Sequence, residues 1–144
     1  MTLNDYLMSV YVDGGRGEIA QGFRRFDCWG FVRAIRHDLY GKPLMPSYGN
    51  VCPSDKRQVT DAWIDAQVTL EACEPTDGAI ACVFYGRVLL HVGVVIQSDR
   101  GLAVAEITPE AGARVVPLPR YEIEYKNNNI EVKFYDDKSL SQQD

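Results

Sequence analysis

The sequence predicts an α+β domain, N-terminal helices packed on a central antiparallel β-sheet, on three observations. Apolar residues recur at three- and four-residue spacing as far as about residue 70; from residue 79 onward they alternate in short runs; and tight turns join those runs, as antiparallel neighbours allow. Helices first and a meander afterwards is the order of elements in which helices cover one face of a sheet. With 144 residues, the chain 1–144 is expected to be a single domain that buries a core without metals or disulfides.

Leu3, Tyr6, Leu7 and Val10 give a short helix pattern within residues 1–12 that stops at Asp13-Gly14-Gly15. Residues 13–26, with several glycines, read as a flexible loop and a plausible rim for a cleft. The second helix is the clearest. Asp27 is a good N-cap, Cys28 then falls in the first turn, and Phe31, Val32, Ile35 and Leu39 share its buried stripe, with Arg33, Arg36 and Asp38 largely off it. Gly41 ends this helix and Pro43 prevents its resumption. After a loop over 43–53, Ser54 can cap a third helix over about 55–70, with Val59, Ala62, Trp63, Ala66 and Leu70 as its apolar face. Pro75-Thr76-Asp77-Gly78 is a turn, and strands follow at 79–85, 88–96, 102–108, 113–118 and 130–135. Asp99, Arg100 and the Asp136-Asp137-Lys138 run read as surface.

The formal charge of −5 and the lack of a basic cluster beyond Arg24-Arg25 argue against a nucleic-acid partner. The first residues have no basic stretch leading into an apolar run, so no secretory leader is expected. The longest apolar stretch, near 88–96, is too short for a transmembrane segment and carries His91. Cys28, Cys52, Cys73 and Cys82 lack the paired spacing of a zinc site, and His37 and His91 are the only imidazoles, so neither a metal nor another cofactor is expected. Cys73 and Cys82 read as buried small hydrophobes, while Cys52 sits in a loop where it could be inert, exposed or paired.

Cys28 is the residue with chemistry to offer. A helix N-terminus is electropositive and an imidazole supplies a base, the two conditions that make a thiol a nucleophile near neutral pH. In the strand 88–96, Leu90, Val92, Val94 and Ile96 are expected on one face and Leu89, His91, Gly93 and Val95 on the other. Gly93 leaves room for a neighbouring backbone, for which the Cys28 helix is the natural candidate, so thiol and imidazole would meet at the helix–sheet seam. The competing reading is a buried thiol and an unrelated core histidine.

Phe26-Asp27-Cys28-Trp29-Gly30-Phe31-Val32, followed in order by His91-Val92-Gly93-Val94-Val95-Ile96, resembles the NlpC/P60 family of papain-like cysteine peptidases, especially its bacteriophage tail-associated and cell-wall members. The similarity extends to Tyr11-Val12 leading into Gly14-Gly15-Arg16-Gly17 and to the loop Gly41-Lys42-Pro43-Leu44-Met45-Pro46-Ser47-Tyr48, covering most of residues 6–118. The resemblance implies a papain-like fold and hydrolysis of amide bonds in peptidoglycan stem peptides, typically between D-glutamyl and diaminopimelyl residues. By it Cys28 is the nucleophile and His91 the base.

The family usually adds a His, Asn or Gln on the next strand to orient the imidazole, and Leu102–Thr108 contains none. Glu106 is the substitute, a carboxylate able to hold Nδ1–H of His91; otherwise it is a strand-end charge in water and the site is a dyad. Tyr11 could donate its hydroxyl toward the substrate carbonyl or simply pack, and Trp29 could line a substrate groove or pack beneath the Gly14–Gly17 loop. Arg16, Arg24 and Arg25 could attract substrate carboxylates or be solvated. The protein would be made in the bacterial cytoplasm and act on the wall, carried there in a virion tail or as a lysis product. Peptidoglycan peptide and phage tail proteins are the implied partners. The alternative activities are a catalytically silent tail component and, more distantly, a cysteine acyltransferase or amidase with a substrate outside the wall.

Overall fold

The computed structural model describes residues 1–126 and 129–138. Within the single-domain reading of 1–144, residues 127–128 and 139–144 lie outside the described part. The elements are α1 (Leu3–Leu7), β1 (Val10–Tyr11), β2 (Arg16–Ala20), β3 (Phe23–Phe26), α2 (Cys28–Tyr40), α3 (Lys56–Ala66), a 3-10 turn over Gln67–Thr69, β4 (Leu70–Cys73), β5 (Ile80–Tyr85), β6 (Val88–Ser98), β7 (Gly101–Thr108), β8 (Gly112–Pro117), α4 (Leu118–Tyr125) and β9 (Ile130–Asp137). The main sheet runs β4-β9-β5-β6-β7-β8 with every neighbouring pair antiparallel. A small sheet, β1-β3-β2, pairs β1 parallel and β2 antiparallel with β3.

That small sheet replaces the flexible loop expected over 13–26. Gln21 and Gly22 both have positive φ, 53° and 83°, the backbone of a two-residue hairpin turn, and Ala20 pairs with Phe23 across it. The flanking residues mix charge and apolarity without alternating, which hid both strands. Their pairing places Tyr11 beside Phe26, one residue before the cap of α2.

α2 begins at Cys28 as expected, with Asp27 accepting from the Gly30 amide and Gly41 in the left-handed region at the other end. Its Phe31, Val32 and Ile35 are fully buried against the sheet, together with Ile80, Cys82, Val92, Val94, Ala105 and Ile107. Arg36 is the exception to the expected stripe. It is 0% exposed, with Nε donating to Gly78 O at 2.9 Å and Nη2 to Asp136 and Asp137 at 2.8 Å each. A buried guanidinium is tolerable because its donors are partnered. Asp136 and Asp137, expected at the surface, are instead the end of β9 and half-buried in this clamp, with Lys42 on the outer oxygen of Asp136.

α3 is capped by Asp55, which accepts from the Arg57 and Gln58 amides, rather than by Ser54, and it stops at Ala66. Leu70, expected in its apolar face, opens β4 and is buried there. The reverse face of the sheet, with Ala81, Val83, Val95 and Val104, is not bare: α4 covers it through Tyr121 and Tyr125. Helices therefore lie on both faces. α4 escaped detection because Pro117 and Pro119 read as breakers, whereas proline is well tolerated in a first helical turn.

Strict alternation along β6 also fails at one point. Val83 pairs with His91 but Phe84 with Leu89, so Leu90 is the extra residue of a β-bulge. Leu89 consequently joins Val92 on the α2 face and Leu90 turns to the α4 face. α3 holds the bulge: Leu89 N donates to Thr60 Oγ1 at 3.1 Å, and Lys56 Nζ donates to Leu90 O at 3.0 Å and Pro53 O at 2.7 Å.

The close approach expected at Gly93 belongs to β7, not to α2. A Cβ there would stand 2.6 Å from Val104 Cγ1 and 3.5 Å from the Glu106 Cβ. The glycine that admits a backbone to α2 is Gly30, where a Cβ would collide with the Gly15 carbonyl oxygen. Gly30→Ala is expected to cost about 1–3 kcal/mol by overpacking, read as a lowered midpoint in urea unfolding; an unchanged midpoint would mean that the Gly14-Gly15 turn yields freely.

Candidate active site

The start of α2 is fixed from three sides. Asp27, 2% exposed, accepts from Gly30 N at 2.8 Å and from Arg16 Nη1 at 2.6 Å on one oxygen, and from Gly14 N at 3.0 Å on the other. Arg16 also donates to Gly15 O and, through Nε, to Ser47 O at 2.7 Å. It thereby ties the 43–53 loop to the cap and is not a free cation for substrate. Cys28 emerges from this support in the first turn, where backbone amides have no helical acceptor and the helix end is electropositive.

His91 enters from the bulge in β6, where β6 and β7 part beyond the Val94–Ala105 pair. Its side chain is 14% exposed and borders the same cleft as Cys28, near enough for the two to interact electrostatically. On its other side Nε2 lies 2.8 Å from Glu106 Oε1. The ring is thus turned opposite to the expected Nδ1–Glu106 arrangement, which leaves Nδ1 as the nitrogen free for the thiol. Tyr125 stacks on the imidazole at 5.9 Å between ring centroids and 18° between planes.

Glu106 is 0% exposed, so it is no strand-end charge in water. Its Oε1 also accepts from Tyr125 OH at 3.0 Å, and its Oε2 from Arg114 Nε at 2.8 Å. Arg114 is in turn held by Glu124 at 2.8 Å. Burial works against the Glu106 charge, yet hydrogen bonds and charge from His91, then Arg114 and Tyr125, bring its pKa down to about 2. Burial likewise disfavours imidazolium, but hydrogen bonds to Cys28 and Glu106, with their charges, hold His91 up at about 9.

These shifts have opposite consequences for stability. The Glu106 contribution is present above 4.5 and lost as pH falls toward 2, whereas that of His91 is present below 6.5 and lost as pH rises through 9.

Tyr11, Cys28, Lys56, His91, Glu110 and Tyr125 border a cleft of about 680 Å³. Burial, then the neighbouring Cys28 and Asp13, push the Tyr11 phenol up, so it stays a neutral donor beside the thiol. Trp29 lies against the 43–53 loop rather than the Gly14–Gly17 loop, with Nε1 donating to Pro46 O at 2.9 Å and its ring 5.6 Å from that of Tyr48. Among the described residues no group of three or more His, Cys, Asp or Glu side chains could hold a metal ion, and no helix is long and apolar enough to cross a membrane. The four cysteines are free thiols.

Arg114, Tyr125 and Lys56 were not singled out by sequence. For Arg114 the signal existed: a hairpin turning at Glu110 puts Arg114 opposite Glu106, the register observed. Tyr125 and Lys56 belong to the unrecognised α4 and to the bulge contact, which leave no trace in hydrophobic period.

No family model matches the sequence, and no curated protein matches it. The fold resembles solved structures. A crystal structure of an N-acetylmuramoyl-L-alanine amidase from Bacteroides uniformis aligns over 95% of this chain and 98% of its own, with a TM-score of 0.57 and 12% identity. Two further crystal structures of an amidase of that description and organism align over 95% of this chain and 97% of theirs, each with a TM-score of 0.53 and 13% identity. The shared feature is the α+β fold, N-terminal helices on a central antiparallel sheet, along nearly the full length of both chains.

Proposed function

We propose that this chain is a papain-like cysteine hydrolase of NlpC/P60 type that cleaves an amide bond in the peptide portion of peptidoglycan. The observation that carries the reading is the His91 imidazole, set between the Cys28 thiol and a fully buried, multiply bonded Glu106. Cys28 and His91 form the ion pair, and the thiolate attacks the scissile carbonyl carbon. Backbone amides at the start of α2 and the Tyr11 hydroxyl face the oxyanion. His91 passes its proton to the departing amine, leaving a thioester on Cys28; it then takes a proton from the water that attacks the thioester, and expulsion of the thiolate frees the acid and restores the ion pair. Glu106 holds Nε2–H and keeps the ring in place.

The amidase likeness and the phage-like Asp27-Cys28-Trp29-Gly30-Phe31 segment support peptidoglycan as the polymer, but they point to different bonds. One is the muramoyl–L-alanine amide, the other the D-glutamyl–diaminopimelyl amide. Digestion of purified sacculi followed by mass spectrometry of the soluble products separates them, since the first frees whole stem peptides and the second leaves a dipeptide on the sugar. A virion tail, with tail proteins as partners, is the proposed carrier. Sacculi and small amides left intact by a protein whose Cys28 reacts with iodoacetamide no faster than in His91→Ala would sink the reading in favour of a silent tail component.

The pH profile is a second expectation. Loss of the His91 proton near pH 9 removes the general acid, so kcat/KM should fall on the alkaline side with a midpoint near 9. Glu106→Gln withdraws a charge that favours imidazolium, and the alkaline limb should move down toward 6.5, the ordinary histidine value. A limb that stays in place in this variant would exclude Glu106 as the His91 partner.

A further inference from the structure

Beside the cleft, and sharing Cys28 and Pro53 with it, lies a second hollow of about 40 Å³. Its walls are apolar: Trp29, Tyr48, Val59, Ala62, Trp63 and Leu89. The two charged residues on its border, Arg16 and Asp27, are paired with each other at 2.6 Å and offer no free charge to a ligand.

Close packing ordinarily removes such space from a protein interior. Here the walls are pinned and cannot close over it. The Trp29 indole is tethered to Pro46 O. Tyr48 takes φ of 50°, a left-handed backbone that is costly for an aromatic residue, and its hydroxyl is bonded to Asp65 on α3. Trp63 is wedged edge-on against Tyr135 at 4.9 Å and Phe84 at 5.9 Å. Strain at Tyr48 and two anchored indole rings thus keep open a small, apolar space adjoining the nucleophile.

We infer that this hollow is a specificity pocket that takes a short aliphatic group, two to three carbons long, on the acyl half of the bond attacked by Cys28. The inference rests on the catalytic reading of Cys28 given above. A hydrophobic pocket of this kind discriminates by about 10- to 200-fold for each fitting methylene. Longer chains meet the Trp63 and Tyr48 rings.

The test is acylation of Cys28 by p-nitrophenyl acetate, propionate, butyrate and hexanoate. In each case the thiolate attacks the ester carbonyl, p-nitrophenolate leaves with the electron pair, and the enzyme gains the acyl group as a thioester, followed by the nitrophenolate burst and by intact mass. Butyrate is expected to acylate at least about tenfold faster than acetate, with hexanoate slower than butyrate. Ala62→Leu, which fills the hollow from α3, should bring the butyrate rate down to that of acetate; Val59→Ala, which enlarges it, should move the optimum to hexanoate. Equal rates for acetate and butyrate, or a preference that survives both substitutions, would overturn the pocket and leave the Cys28 chemistry standing. Failure of every ester to acylate overturns the pocket as well, and the iodoacetamide rate of Cys28 against that of His91→Ala then tells whether the catalytic reading falls with it.

Discussion

Exchange of His91 for alanine is expected to lower kcat/KM for amide hydrolysis by about 10²- to 10⁴-fold, and Cys28→Ala to abolish it. The imidazole has two tasks, holding the thiolate and delivering a proton to a poor leaving group, and no second histidine is placed to take over. His37, the other imidazole, is on α2 near its C-terminal end with Nδ1 2.9 Å from Lys42 O. The loss should be selective. Activated esters, which need no protonated leaving group, should lose less than amides do, and the variant should still fold, because Glu106 keeps its bonds to Arg114 and Tyr125. Measuring amide and ester turnover side by side with a melting curve checks this. Equal, small losses on both substrates would mean that another group serves as the acid.

The second large effect is on stability. Arg36→Met leaves Asp136 and Asp137 facing one another without their guanidinium, and the Gly78 carbonyl without its donor. Removing one partner of a buried ion pair costs about 3–5 kcal/mol, which for a domain of this size corresponds to roughly 10–20 °C in Tm. Because the penalty comes from stranded charges, Asp136→Asn with Asp137→Asn added to Arg36→Met should recover part of it. Differential scanning calorimetry of the parent, Arg36→Met and the triple variant decides the matter. A Tm within a few degrees of the parent for Arg36→Met alone would show that water or Lys42 neutralises the carboxylates.

Much of this is legible in the sequence. The Asp27 cap, the start of α2 at Cys28 and the strands from residue 80 onward follow from rules that act over one or two turns of chain. What was missed depends on partners distant in sequence. Arg36 looks like a surface residue until residues 136 and 137 arrive to bond it. The β2–β3 hairpin is stabilised by packing under α2 rather than by its own pattern. The exchange of faces between Leu89 and Leu90 follows from the bulge, a one-residue slip that strict alternation cannot contain. Glu106 was readable as a candidate from its strand, but its burial is a property of α4, whose two prolines disguised it.

The insertion of β9 between β4 and β5 sets the order in which this protein can come into being. Residues 70–73 and 80–85 leave the ribosome early, and β5 pairs at once with β6, yet β4 finds its sheet neighbour, and β5 its second one, only when 130–137 emerge. The Arg36 bonds span 100 and 101 residues and close at the same late moment. A nascent chain halted before residue 130 therefore exposes an unpaired β4, one open edge of β5 and an α2 without its clamp, and it should be held by chaperones and cut readily by protease.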